Sequence, residues 1–232
     1  MPSRNLLRVD VPDGYYHVYS RGVNSRTIFR NDQDFRVFLN LLKRYLSVEV
    51  AKDSMGREYP HIYGRLELLC YCLMPSHIHL FVYQAEQGAL EQLMRCAMTS
   101  YSRYFNKKYE RRGPLFESRY KASLISINPY FEHISRYIHL NPRNWKKYPY
   151  SSLPFFAGDM SAEWVMPGRI LDLFSSKKEY INFLEDYVDH KLMLDQIRDE
   201  LATAWLGFAR TDLAKVAIMV SGFWADVRIS EL

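Results

Sequence analysis

The chain has 232 residues, of which 48% are hydrophobic and 25% charged, with a formal net charge of +5. That is enough apolar material for one large domain, or a domain with an appendage, and it excludes a disordered linker. The longest uninterrupted apolar run, residues 68–74, falls far short of the roughly 20 residues that cross a bilayer, which argues against an integral membrane protein. Cys70, Cys72 and Cys96 form no C-x-x-C pair and cannot all pair within one chain, and the N-terminus shows no charged-then-apolar leader pattern. Both features point to a reducing cytoplasm rather than a disulfide scaffold or structural zinc site.

Taken in chain order, residues 15–21 read as a short strand. Asn31-Asp32-Gln33-Asp34 supplies caps for a helix whose apolar positions Phe35, Phe38, Leu39, Leu42 and Leu46 recur near the 3.6-residue period. Residues 48–50 and 61–64 flank Asp53-Ser54-Met55-Gly56, a polar turn that closes a small hairpin or excursion. Residues 66–73 and 77–83 read as two central strands joined through Met74-Pro75-Ser76. A second helix is predicted over 89–109, with Leu90, Leu93, Met94, Ala97, Tyr101 and Tyr104 on one side and Gly113-Pro114 beyond its end. A strand is predicted over 124–127. Asn128 then caps a third helix with Pro129 at its first position, where a missing N–H costs nothing, and Pro142 stops it. Strands interspersed with helices in this order fit an antiparallel α+β sandwich. After Tyr148-Pro149-Tyr150-Ser151-Ser152 the composition turns acidic and mostly helical, dividing the chain into residues 1–158 and 159–232.

The division also separates charge. Residues 1–158 hold 23 Lys and Arg against 13 Asp and Glu, net +10, whereas residues 159–232 hold 8 against 13, net −5. Residues 95–121 concentrate Arg95, Arg103, Lys107, Lys108, Arg111, Arg112, Arg119 and Lys121 against Glu110 and Glu117, interleaved with Tyr101, Tyr104, Phe105, Tyr109, Phe116 and Tyr120. Phosphates need cations and unpaired bases offer faces for stacking, so this segment fits single-stranded nucleic acid. A solvated helix with its rings in the core accounts for it equally well.

The chemistry centres on His77-Ile78-His79. Alternation along a strand puts both imidazoles on one face and Ile78 on the other, the geometry of a two-histidine metal clamp. Two buried, hydrogen-bonded histidines would show the same pattern. On the third helix, Tyr137 and Asn141 are four residues apart and so share one face, one turn apart, with His133 a further turn back. A tyrosine with a pKa near 10 is a poor nucleophile until its target is polarised by a metal and its position fixed. The carboxamide oxygen of Asn141 could complete such a coordination shell.

The run Cys70-Tyr71-Cys72-Leu73-Met74-Pro75-Ser76-His77-Ile78-His79-Leu80-Phe81-Val82, followed some 60 residues later by Tyr137-Ile138-His139-Leu140-Asn141-Pro142, resembles the REP-associated tyrosine transposases of the single-tyrosine HUH nuclease superfamily. The resemblance extends to Tyr16-His17-Val18-Tyr19-Ser20-Arg21-Gly22, Ile28-Phe29-Arg30, Tyr104-Phe105-Asn106-Lys107-Lys108-Tyr109, Gly113-Pro114-Leu115-Phe116-Glu117-Ser118-Arg119-Tyr120-Lys121 and Tyr148-Pro149-Tyr150-Ser151-Ser152. It covers about residues 14–158; the tail from about residue 191 matches nothing in that family. It implies a ferredoxin-like α+β domain in which His77 and His79 bind a divalent ion, Mg²⁺ or Mn²⁺, Asn141 is the third ligand and Tyr137 the nucleophile.

The implied activity is nicking and rejoining of single-stranded or hairpin DNA at palindromic repeats through a 5'-phosphotyrosine link. The expected setting is a cytoplasmic, nucleoid-associated monomer or homodimer with no membrane partner. A protein that binds hairpin DNA without cutting, and a metal-dependent hydrolase in which Tyr137 only packs, are the competing readings. Tyr130 is the competing nucleophile on the same helix, but it lies about 10 Å further along the axis from Tyr137 and so far from Asn141. A helix-turn-helix over 211–220 would lack a basic recognition helix, and residues 159–232 are expected to take no part in catalysis.

Overall fold

A computed structural model describes residues 10–125 and 129–186, with the side chains of 129 and 130 outside the description. In chain order these residues form β1 (Gly14–Arg21), α1 (Asp32–Leu46), β2 (Leu66–Met74), β3 (His77–Gln84), α2 (Ala89–Lys108), β4 (Lys121–Ile125), α3 (Pro129–Leu140), α4 (Leu153–Ala157), α5 (Gly168–Leu171) and α6 (Lys177–Glu185). The sheet order is β2-β3-β1-β4, with every neighbour antiparallel. Combined with the β-α-β-β-α-β succession, this is the ferredoxin-like arrangement. Among the described residues no helix is long and apolar enough to cross a membrane.

Local chemistry sets the element ends. Asn31 and Asp34 form a reciprocal capping box at the start of α1, with acidic residues in its first turn and Lys43 and Arg44 in its last, each complementing the helix dipole. Pro75 and Ser76 alone connect β2 to β3, and their carbonyls are tied down from outside. Pro75 O accepts from Ile28 N–H at 2.7 Å and Phe29 N–H at 3.0 Å, and Ser76 O accepts from Gly22 N–H at 2.9 Å. The hairpin that presents His77 is therefore anchored to the segment that follows β1. The excursion after α1 is pinned by the Lys52–Glu58 bridge and by Asp53, whose carboxylate accepts from Met55 N–H and Arg57 N–H.

The fourth strand is a correction to the sequence reading. The sequence reading starts it at residue 124, whereas the strand begins at Lys121, because its pairing with β1 extends from Tyr15↔Ile125 to Tyr19↔Lys121 and recruits polar Lys121 and Ser123; residues 126 and 127 lie outside the described residues. The expected cap Asn128 and the 211–220 segment lie outside the described residues.

Directly paired residues in an antiparallel sheet share a face. One face carries Tyr16, Val18, Ile78, Leu80, Val82 and Gln84, all buried, and Gln84 Oε1 accepts from Leu90 N–H at 2.8 Å, so α2 begins against this face. The aromatic cluster Phe29, Phe38 and Tyr101 joins α1 to α2, with Tyr101 donating to Ile28 O. The other face carries Tyr15, His17, Tyr19, His79 and Phe81 and receives α3, whose Phe131 packs on Tyr15 at 4.1 Å and on Phe81 at 5.6 Å between centroids.

Packing continues past residue 158. Met166 N–H donates to Leu68 O of β2 at 2.8 Å, and Arg169 pairs with Glu67 at 2.7 Å while lying over the Tyr83 ring. The hydroxyl of Tyr180 on α6 is buried against α3, 2.7 Å from His139 Nδ1 and 3.1 Å from Ser135 Oγ. On its other side His139 Nε2 lies 2.8 Å from Ser152 Oγ, which itself accepts from Tyr71 N–H of β2.

Candidate active site

The two histidines of β3 stand on the α3 face, as strand alternation requires, with their rings perpendicular and centroids 5.0 Å apart. The C-terminal end of α3 meets them there. Asn141 is the first residue past α3, and its Oδ1 lies 3.3 Å from His77 Nε2, while Ser76 Oγ is 3.0 Å from His77 Nδ1. One turn back along α3, Tyr137 places its ring edge-to-face against His79 at 5.4 Å and against His17 at 5.8 Å. His77, His79, Tyr137 and Asn141 are thus brought together by a strand and a helix end that are some 60 residues apart in the chain. Tyr130 shares α3, but its side chain lies outside the described residues.

The donor set fits a small divalent ion. Two atoms each about 2.1 Å from one cation, at angles between octahedral and tetrahedral, stand about 3.0–3.4 Å apart. The His77–Asn141 separation of 3.3 Å falls in that range. Ligating imidazoles must also be neutral, and burial depresses both. His77 is lowered by burial, against an opposing hydrogen bond from Asn141, with Arg21 adding to the depression. His79 is driven well below the usual histidine range by burial first, then by His17, His77 and Arg21. Among the described residues no three His, Cys, Asp or Glu side chains form a metal cluster; the Asn141 amide oxygen is the further donor beside His77.

Three residues at this centre escaped the sequence reading. On β1, His17, Tyr19 and Arg21 occupy alternate positions of the same face. His17 is 2% exposed and its Nε2 lies 3.0 Å from His79 Nδ1, with burial pushing its pKa down to about 4. Tyr19 is the register partner of His79 and stacks on it at 6.2 Å. Its pKa is raised by burial first, then by Tyr137 and Glu117, with Arg21 opposing. Arg21 pairs directly with His77 across the strands, and its side chain is exposed. The i, i+2, i+4 spacing of these three was available in the sequence, but nothing local ties it to a strand 60 residues away.

The eight basic residues expected to hold nucleic acid divide by environment. Arg95, Arg103, Lys107, Arg112 and Arg119 are exposed. Lys108 is different: its ammonium lies 2.7 Å from the fully buried Asp34 carboxylate and also donates to Asn31 Oδ1 and the Tyr104 hydroxyl. Burial alone would raise the Asp34 pKa, but Lys108, Tyr109, the Arg30 N–H and Tyr104 outweigh it and hold the carboxyl below its ordinary range. Arg111 donates to Asn106 Oδ1 at 3.2 Å and lies over the Phe105 ring. Lys121 sits near Glu117 at 3.9 Å and over the Tyr19 ring at 5.3 Å, which brings it to the histidine face. The remaining members are carried by α2 and the segment after it, and α2 begins against the opposite face of the sheet.

Residues 11–141, more than half of the chain, match the sequence model of the family described as "Transposase IS200 like". No curated protein matches the chain. Among solved structures, a REP-associated tyrosine transposase bound to a REP hairpin is similar, with 14% sequence identity and a TM-score of 0.46, over 72% of this chain and 92% of that one. On the strength of the match over residues 11–141, which contains the histidine pair, Tyr137 and Asn141, the chain belongs to the family of IS200-like transposases.

Proposed function

We propose that this chain nicks and rejoins single-stranded DNA, acting on hairpins of palindromic repeats, with Tyr137 as the nucleophile and a divalent ion, Mg²⁺ or Mn²⁺, held by His77, His79 and Asn141. The observation that carries the reading is the convergence of Tyr137 on His79 at 5.4 Å while Asn141, one turn away, stands 3.3 Å from His77. When bound, the ion supplies Lewis-acid withdrawal of charge from a phosphate oxygen.

The residues of the chain do the rest. Tyr137 is fixed by α3 and by its edge-to-face packing, so its hydroxyl meets a phosphate positioned beside His77 and Asn141 without first being ordered. Attack of the phenolic oxygen on phosphorus breaks the P–O3' bond. The proton lost by Tyr137 is balanced by the one gained at the departing 3'-oxygen, leaving a 5'-phosphotyrosine link and a free 3'-hydroxyl. Attack by another 3'-hydroxyl reverses the step and joins strands without a nucleotide cofactor. Arg21, Arg95, Arg103, Lys107, Arg112, Arg119 and Lys121 hold the backbone, Arg111, which is tied to Asn106, contributes more weakly, and Lys108 acts through Asp34. We place no catalytic role in residues 159–232.

The test is incubation of the full chain with single-stranded DNA from the flanks of its own gene in Mn²⁺, followed by a denaturing gel. A covalent protein–DNA adduct is expected from the parent chain and from Tyr19→Phe, and none from Tyr137→Phe, which keeps the ring and removes only the attacking oxygen. An adduct formed by Tyr137→Phe overturns the assignment of the nucleophile. Cleavage without adduct would establish a hydrolase, and hairpin binding with neither would establish a silent DNA-binding protein.

A further inference from the structure

Two imidazoles 3.0 Å apart share a single proton between their facing nitrogens, and which ring owns it fixes the tautomer of both. This is the relation of His17 and His79. They lie diagonally across the β1–β3 pairing, two residues off register, with their rings stacked within 6° of parallel at 5.3 Å. If the proton sits on His79 Nδ1, the Nε2 of His79 carries a lone pair and can ligate. If it sits on His17 Nε2, the Nε2 of His79 carries its own proton and cannot.

We infer that His17 is a positioning residue of the metal centre, accepting the Nδ1–H of His79 on its Nε2 and so holding the His79 ring in the orientation and tautomer that present Nε2 to the ion. The inference rests on the metal reading proposed above and adds a residue that lies outside the His77-Ile78-His79 motif.

Three observations support it. First, among the described residues no other side chain hydrogen-bonds the His79 ring, and a ligating histidine commonly has its second nitrogen engaged by an outer partner, here His17. Second, His17 is enclosed, at 2% exposure, on the strand paired with that of His79, so its ring is held fixed beside the His79 ring. Third, His17 Nδ1 is buried with no hydrogen-bond partner among the described residues. A buried polar atom left unsatisfied is destabilising. A residue present only to fill this space would be better served by an apolar ring, so the imidazole is retained for its other nitrogen. The same ring also packs at 83° against Tyr137, so one side chain touches both the ligand and the nucleophile.

The experiment is titration of the full-length chain with Mn²⁺, read by the electron paramagnetic resonance signal of the free ion, with thermal unfolding of each variant as a control. His17→Phe keeps the ring and removes the acceptor; its Mn²⁺ affinity should fall about 10–100-fold. Its unfolding midpoint should stay near that of the parent, because the lost contact is offset by removal of the unsatisfied Nδ1. His17→Gln can place an amide oxygen near the site of Nε2, and it should restore affinity to within about threefold of the parent. Parental affinity in His17→Phe, or equal weakening in both variants, overturns the inference while leaving the metal site intact. A parent chain that takes up no Mn²⁺ overturns the metal site itself and this inference with it.

Discussion

On the face where α2 begins, β1 and β3 contribute Tyr16, Val18, Ile78, Leu80 and Val82, all 2% exposed or less, whereas the opposite face of the same two strands carries His17, Tyr19, His77 and His79. The second face is the more open, with Tyr19 and His77 half-buried and Arg21 exposed, but exposure is not the whole contrast. What differs is how polar groups are treated. On the α1–α2 side a buried carboxylate, Asp34, is satisfied by Lys108, Tyr104, Tyr109 and the Arg30 N–H. On the α3 side a buried nitrogen of His17 has no hydrogen-bond partner among the described residues, and the His77 ring is hydrogen-bonded to Ser76 and Asn141. The contrast lies in what surrounds these polar groups rather than in complete satisfaction of one side, since Ser47 Oγ at the end of α1 is also buried without a hydrogen-bond partner among the described residues.

The sharpest way to break this comparison is to damage the packing side. Phe38 is fully buried between Phe29 and Tyr101, and Phe38→Ala should lower unfolding free energy by about 3–5 kcal/mol in a denaturant titration. Mn²⁺ affinity of the molecules that remain folded should not change. A loss of metal affinity as large as that of His17→Phe would show that the two faces are not independent.

A smaller effect tests the α3 side through pH. Burial pushes His139 down to about 3, against an ordinary value near 6.5, so the unfolded chain takes up a proton there before the folded one does. The stabilisation from keeping His139 neutral is fully present above pH 6.5 and is lost as pH falls toward 3, at about 1.4 kcal/mol per pH unit. In His139→Gln the stability curve between pH 6 and 4.5 should be flatter by about that slope. An unchanged slope would remove His139 from the acid response.

The smallest effect separates cations that look alike in sequence. Arg21→Gln and Lys107→Gln should each flatten the dependence of log affinity on log salt for single-stranded DNA by about 0.7. Lys108→Gln should leave that slope alone and instead lower the melting temperature, since it strips a partner from buried Asp34. A changed slope in Lys108→Gln with no change in melting would reverse the assignment.

These contrasts also show what could be read without coordinates. Strands β1 to β3, the first two helices and the shared face of His77 and His79 follow from periodicity, which acts over a few residues. Tyr137 and Asn141 follow from helical spacing for the same reason. The His17 contact does not, because it depends on a cross-strand register between residues 62 apart, and a single histidine among aromatic strand residues carries no local pattern. Lys107 and Lys108 are adjacent and chemically identical, yet only Lys108 faces Asp34 across 74 residues. The start of β4 was missed because backbone pairing with β1, rather than hydrophobicity, recruits Lys121 and Ser123.

The clasp between Tyr180 and α3 has a consequence for the order in which the molecule matures. Chains are synthesised from the N-terminus, and the sheet, α1 and α2 can all form from residues before 126. The helix bearing Tyr137 completes its buried contacts only when Tyr180, 41 residues beyond His139, has been made. A chain that ends short of residue 180 would therefore have the strand of His77 and His79 formed while α3 lacks the contact of Tyr180 with His139 and Ser135.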